Sequence, residues 1–183
     1  MTKQAVLLVA TLGAIMLLAC SRVEPGHSGH EQGSVAPIVS DQRSVEAVLD
    51  QYLRAFHTRD QESVSQVYAH NDDLVVFGSN PADRRFGWNA TREYIQKYFA
   101  EVTAIDITVK ERKIKIHQSG ETAWFAQVLD WRETAGKEIA TIDGLRISGV
   151  LEKREGRWQI VQLHASGPSP VLQQAPDSPP RNY

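Results

Sequence analysis

"LEKREGRWQIVQLHASG", Leu151 to Gly167, is the stretch whose reading decides the fold. On both sides of "REG" apolar and polar residues alternate, the period of a half-buried strand. Arg154-Glu155-Gly156 places a glycine where a three-residue hairpin loop needs a left-handed residue. Two antiparallel strands joined at "REG" are therefore expected. Pairing Lys153 with Arg157 puts Arg146 opposite His164, Ser148 opposite Gln162 and Val150 opposite Ile160. Ile147 then meets Leu163, and Leu145 meets Ala165.

Upstream, "ETAWFAQVLDWRE" and "KEIATIDGLRISGVLEK" have the same alternation, with "QSGE" and "TAGK" as hairpin turns. A three-residue "TAG" loop pairs Glu133 with Lys137 and sets Trp124 opposite Arg146. Ile105, Ile107 and Val109 are odd-numbered whereas Ile114 and Ile116 are even, so a bulge is expected near Glu111 or Arg112. Earlier still, Val45, Val48, Leu49, Tyr52, Leu53 and Phe56 recur at helical spacing. "HTRDQESVSQVYA" restarts a helix, with Thr58 and Gln61 as a capping box and Val64, Val67 and Tyr68 as its stripe. "DLVVFGS" reads as a short strand and "SNPADRRFG" as a turn-rich loop. Trp88, Ile95 and Phe99 stripe a third helix, about Asn89 to Ala100. The order predicts an α+β domain, three helices of the N-terminal half packed on one curved antiparallel sheet.

The predicted sheet has two unlike faces. One carries Phe125, Leu129, Trp131, Leu145, Ile147, Leu151, Val161 and Leu163 and suits the helices. The other mixes Trp124, Asp130, Arg146, Ser148, Gln162 and His164 with Val128, Val150 and Ile160. Such a face fits a subunit interface or the rim of a cleft.

The termini read differently. Lys3 precedes the apolar run Ala5 to Ala19, too short for a spanning helix of about 20 residues, and Cys20 follows at once. "LLAC" resembles the lipobox of bacterial lipoproteins, which implies cleavage before Cys20 and a lipid on that cysteine. Ser21 in place of Asp implies an outer-membrane destination, facing the periplasm. The expected division is a signal peptide over 1–19, a flexible tether over 20–40, the domain over 41–167 and a Pro-rich tail over 168–183. His27 and His30 fall in the tether and read as solvated linker.

"FHTRDQESVSQVYA", "GWNATREYIQKYF" and "LEKREGRWQIVQLHASG" resemble the nuclear-transport-factor-2-like superfamily, in particular its SnoaL-like branch, over about Ser44 to Gly167. The last stretch is also similar to the end of the association (hub) domain of calcium/calmodulin-dependent protein kinase II, through Trp158, Gln159, Val161, His164, Ser166 and Gly167. The resemblance implies a cone-shaped fold enclosing a pocket, and homodimers or larger rings. It implies no single activity, because the superfamily holds both enzymes and assembly domains. The hub's arginines fall near Leu129, Gly149 and Ala165 here, so its preference for anions is not implied.

Two functional readings follow. In the first, a binding or assembly module lines its pocket with Tyr52, Phe56, Phe77, Trp88, Phe125, Leu129 and Trp131, a wall suited to a small apolar or aromatic ligand. Trp124, Arg146 and His164 then form a polar cluster at an interface or pocket rim. In the second, an isomerase-, cyclase- or hydrolase-like enzyme uses His164 as acid/base, Asp130 to orient it and Tyr52 as proton donor. That reading needs a bulge to turn His164 inward. The net charge of −2 and the scattered basic residues argue against a nucleic-acid partner. No cofactor motif is present, and His117 with His164 lacks the further ligands a zinc site needs. Cys20→Ala is expected to move the protein from the membrane to the soluble fraction; unchanged fractionation would exclude Cys20 as the anchor.

Overall fold

The first helix, α1 (Val35–Thr58), lays Val45, Leu49, Tyr52, Leu53 and Phe56 against the sheet, each 8% exposed or less. The structure, a computed structural model, describes residues 35–80 and 82–168, with only the backbone described over 35–40. Cys20, the expected signal, most of the tether and nearly all of the tail lie outside the described residues. The helix starts ahead of Asp41, so residues 35–40, expected in the tether, are helical. Pro37 is compatible with this because it sits in the first turn, where N–H groups have no intrahelical acceptor.

Left-handed Arg59 (φ 57°) ends α1, and Asp60 caps α2 (Gln61–Val67). Its carboxylate accepts from the Ser63 amide at 3.0 Å and hydroxyl at 2.6 Å, and these bonds hold the Asp60 carboxyl below its ordinary pKa. The expected Thr58–Gln61 capping box is thus replaced. Thr58 Oγ1 instead donates back to the Arg54 carbonyl at 2.9 Å, inside α1. Val64 and Val67 are buried as expected.

The chain continues through β1 (Val75–Phe77), β2 (Arg84–Phe86), α3 (Trp88–Glu101), β3 (Ala104–Ile116), β4 (Thr122–Ala135), β5 (Glu138–Arg154) and β6 (Arg157–Ser166). β2 lies in the segment read as loop. The sheet order is β2-β1-β6-β5-β4-β3. It is mixed rather than wholly antiparallel, because β1 runs parallel to β6. The rest of the architecture is as expected: an α+β fold with three helices on a curled, open sheet.

Register is where the structure departs from the sequence reading. The "REG" hairpin closes on Arg154 and Arg157, leaving a two-residue loop of Glu155 (φ 50°) and Gly156 (φ 75°). That double left-handed turn matches the strand twist, which explains its preference over the three-residue loop. A bulge at Val161, opposite Val150 and Leu151, then shifts the register again. The two shifts bring His164 opposite Ser148 and Arg146 opposite Ser166. Because they sum to two residues, Arg146, Ser148, Gln162 and His164 still share the outer face. Between loop and bulge the faces are exchanged. Trp158 (5%) and Ile160 (0%) are core residues, whereas Val161, expected inside, is half-buried.

The "TAG" hairpin likewise closes on Ala135 and Glu138, and a bulge at Gly144, left unpaired between Asp143 and Leu145, puts Trp124 opposite Val150 instead of Arg146. The bulge expected near Glu111 is present, between Val109 and Glu111.

Gly149 sits where β5 passes closest to its neighbours. A Cβ there would stand 2.7 Å from Phe125 Cε1 and closer still to the Gln162 carbonyl, a backbone atom that cannot swing aside. Gly149→Ala is expected to cost about 1–3 kcal/mol, read as a lowered midpoint in thermal unfolding; an unchanged midpoint would mean that the strands have room.

Candidate functional site

Between the helices and the inner face of the sheet lies a cavity of about 170 Å³. Helical spacing builds one wall. Tyr52 and Phe56, one turn apart on α1, touch with centroids 4.7 Å apart. Tyr94 and Tyr98, one turn apart on α3, stack at 5.9 Å and 7°. Strand alternation builds the opposite wall, since Trp131 and Glu133 leave β4 on one side. Phe56 meets the Trp131 ring edge-on at 5.7 Å.

Polar groups gather at two places in this aromatic shell. Glu133 Oε2 accepts from Trp131 Nε1 at 3.1 Å and from the Tyr98 hydroxyl in a short hydrogen bond. Arg85, facing inward from β2, lays its guanidinium carbon 3.8 Å from the Tyr94 ring centroid and pairs with Asp83. Its side chain is 10% exposed, and its Nε is buried with no hydrogen-bond partner. Burial lowers its pKa from the ordinary arginine value. The Asp83 carboxylate occupies the space that a side chain at Gly78 would take, so a larger residue there would displace it. The Gly78 amide also donates to the Asp83 carbonyl at 2.8 Å, which closes the β1–β2 hairpin.

Four tyrosines surround these charges. Burial raises the pKa of each of Tyr52, Tyr68, Tyr94 and Tyr98, and the Tyr98–Glu133 hydrogen bond raises Tyr98 further. The Tyr52 and Tyr68 rings meet edge to face at 6.1 Å. At neutral pH all four are therefore protonated and can donate.

The expected site residues divide across the sheet. Tyr52, Phe56 and Trp131 line the cavity. Phe77 borders it, but its ring meets the rings of Phe86 at 6.0 Å and His164 at 6.1 Å. Trp88, Phe125 and Leu129 are not part of the wall. Trp88 stacks on His70 at 4.4 Å, while Phe125 (3%) and Leu129 (0%) fill the core.

His164 is exposed on the outer face: the two-residue loop turns Ile160 inward, and the bulge at Val161 returns the histidine to the outside. Asp130 does not orient it: the Asp130 carboxylate pairs with Lys110 at 2.7 Å and accepts from the Gly144 amide at 3.3 Å. The Lys110 hydrogen bond is the main cause of its lowered pKa. Tyr52 lies on the far side of the sheet from both, and the His164–Asp130–Tyr52 constellation is not assembled. Trp124, 42% exposed, sits beneath Lys115 at 5.5 Å, and Arg146 donates to the Gly167 carbonyl at 3.4 Å. Among the described residues no hydrogen bond or ring contact joins Trp124, Arg146 and His164 into the expected cluster.

Sequence reasoning missed Tyr68, Asp83, Arg85, Tyr94, Tyr98 and Glu133. Tyr94 and Tyr98 were signalled by their spacing beside Ile95, and Glu133 by its parity with Trp131. Nothing local marked Arg85, whose strand is only three residues long. Among the described residues no group of three or more His, Cys, Asp or Glu side chains comes together to hold a metal ion, and no helix is long and apolar enough to cross a membrane.

The family of SnoaL-like domains matches residues 45–170 of this chain. A nuclear-transport-factor-2-like superfamily protein from Salmonella enterica has a similar fold, with a TM-score of 0.66 and 15% identity over 75% of this chain and 98% of its own. A provisionally named dehydratase of the NTF2-like family from Streptomyces avermitilis gives a TM-score of 0.63 and 14% identity, covering 72% and 99%. A protein from Xanthomonas campestris, provisionally named a calcium/calmodulin-dependent protein kinase II association domain, gives 0.60 and 22%, covering 70% and 89%. No curated protein matches the chain.

Proposed function

The chain belongs to the family of SnoaL-like domains, a fold that assigns no activity by itself, and from its cavity we propose that it is a small-molecule-binding domain tethered to the cell envelope by a lipid on Cys20. One observation carries the binding reading: a cavity of about 170 Å³ walled by Tyr52, Phe56, Tyr94, Tyr98 and Trp131, with two carboxylates and a guanidinium in its lining. An apolar cavity of about 150 Å³ accommodates a benzene ring. The occupant is therefore a compound of about one aromatic ring, oriented by a few polar groups.

Its self-association belongs to the same proposal. The outer sheet face exposes Trp124 (42%) beside half-buried Val128 and Val150, a composition suited to a second copy of the chain. Light scattering across a concentration series is expected to give the mass of a dimer or larger assembly; a monomer at every concentration would remove this part.

A catalytic reading has its own support, from the cavity's acid–base groups and from the dehydratase name of one similar structure. In that case Glu133, bonded to Tyr98, and Asp83 beside Arg85 are the groups within reach of a bound compound. His164, on the outer face, is not.

Isothermal titration of the purified full chain with phenol is expected to show saturable, one-to-one binding. Leu145→Phe, which adds bulk at the cavity wall, is expected to abolish it while the circular dichroism spectrum stays that of a folded protein. If phenol and its single-ring relatives all fail to bind, the binding reading is wrong.

A further inference from the structure

We propose that the compound held in this cavity is an anion, a single-ring carboxylic acid whose carboxylate binds the Arg85 guanidinium. This rests on the cavity reading above and names its ligand class.

Arg85 is the group whose hydrogen bonding is incomplete. A guanidinium carries five N–H donors in a rigid fork. Its side chain is 10% exposed, Nη1 lies against the Asp83 carboxylate as an ion pair, and Nε and Nη1 are both buried without a hydrogen-bond partner. A buried donor of this kind is costly, and native structures rarely leave one unmatched. The guanidinium lies over the Tyr94 ring at 3.8 Å, which leaves its edge for hydrogen bonding. The complement of that edge is a planar pair of oxygens, as a carboxylate presents. Asp83, from the same hairpin, acts as the resident counter-ion that makes the buried charge tolerable before a ligand arrives. Arg85 reaches the cavity from β2, away from Leu129, Gly149 and Ala165, where the hub domain's arginines would fall.

The rest of the cavity matches the other end of such an acid. Tyr94, beneath Arg85, and Tyr98, bonded to Glu133, are one turn of α3 apart, about 6 Å along its axis. Glu133 Oε2 takes both the Tyr98 and Trp131 donors. The carboxylate still has acceptor capacity, since its two oxygens offer about four sites. A hydroxyl across the ring from the ligand's carboxylate would use it. Glu133 would also repel a second anionic group, so the acid carries one carboxylate and a neutral donor.

The test is calorimetric titration of the purified full chain with benzoate, 4-hydroxybenzoate, phenol and benzylammonium. Benzoate is expected to bind about ten-fold or more tightly than phenol, 4-hydroxybenzoate more tightly still, and benzylammonium most weakly. Arg85→Gln is expected to lower benzoate affinity at least ten-fold, to about that of phenol, and to lower phenol affinity far less. If Arg85→Gln fails to fold, Asp83→Asn replaces it. Removing the competing carboxylate is expected to tighten benzoate several-fold, and by more than it changes phenol. Benzoate binding no tighter than phenol, insensitive to Arg85→Gln, or unimproved by Asp83→Asn overturns the proposal while phenol binding keeps the cavity reading. If no compound binds, the cavity reading falls with it.

Discussion

The bulge at Val161 is the constraint on which the inner face depends. The tight Glu155-Gly156 loop sets β6 against β5 with Trp158 and Ile160 facing the helices. Continued without interruption, that alternation would bring Gln162 and His164 inward and turn Leu163 out. One unpaired residue at Val161 reverses the parity, so Leu163 and Ala165 reach the cavity while His164 goes to the outer face. β1 inherits this choice through its parallel pairing with β6, where Val76 lies beside Leu163 and Phe77 beside His164. β2 inherits it in turn, and Arg85, paired with Val76, points inward for the same reason. The position of a guanidinium in the cavity thus traces back to a single extra residue two strands away.

Burying charges at such a place is unfavourable unless each is matched. Glu133 is matched by two donors from different elements, Tyr98 of α3 and Trp131 of its own strand. Arg85 is matched by Asp83 and by the face of Tyr94. The stacked Tyr94–Tyr98 pair links the two groups along one helix face. This arrangement ties α3 to β2 at one end and to β4 at the other. The wall is therefore polar where elements meet and aromatic between them. Such a wall selects for a ligand by shape first and by a few directed contacts second.

Much of the scaffold was legible in the sequence. Helical spacing located α1, α2 and α3, and the parity change between Val109 and Ile114 located a bulge that the structure contains. Tyr52, Phe56 and Trp131 were legible as cavity residues because each lies on the apolar face of a periodic element. Phe125 and Leu129 share that face but sit under close packing, and periodicity cannot distinguish wall from core. The short segments were less legible. Three residues of β2 have too little alternation to separate them from a loop, yet they deliver Arg85.

By itself the sequence determined which segments become helix or strand, because that depends on the spacing of apolar residues and on turn-forming residues a few positions away. It also determined that Arg146, Ser148, Gln162 and His164 share one face. The tertiary structure alone decided the register, because a two-residue loop with a later bulge and a three-residue loop without one fit the same alternation. It also decided which side chains share the cavity. Tyr52, Arg85, Tyr98 and Glu133 come from four elements far apart in the chain, and local periodicity carries no information about contacts at that separation. The exposed position of His164 follows from the same physics: strand alternation assigns a residue to a face, but only the packing of helices against one face makes that face the inside.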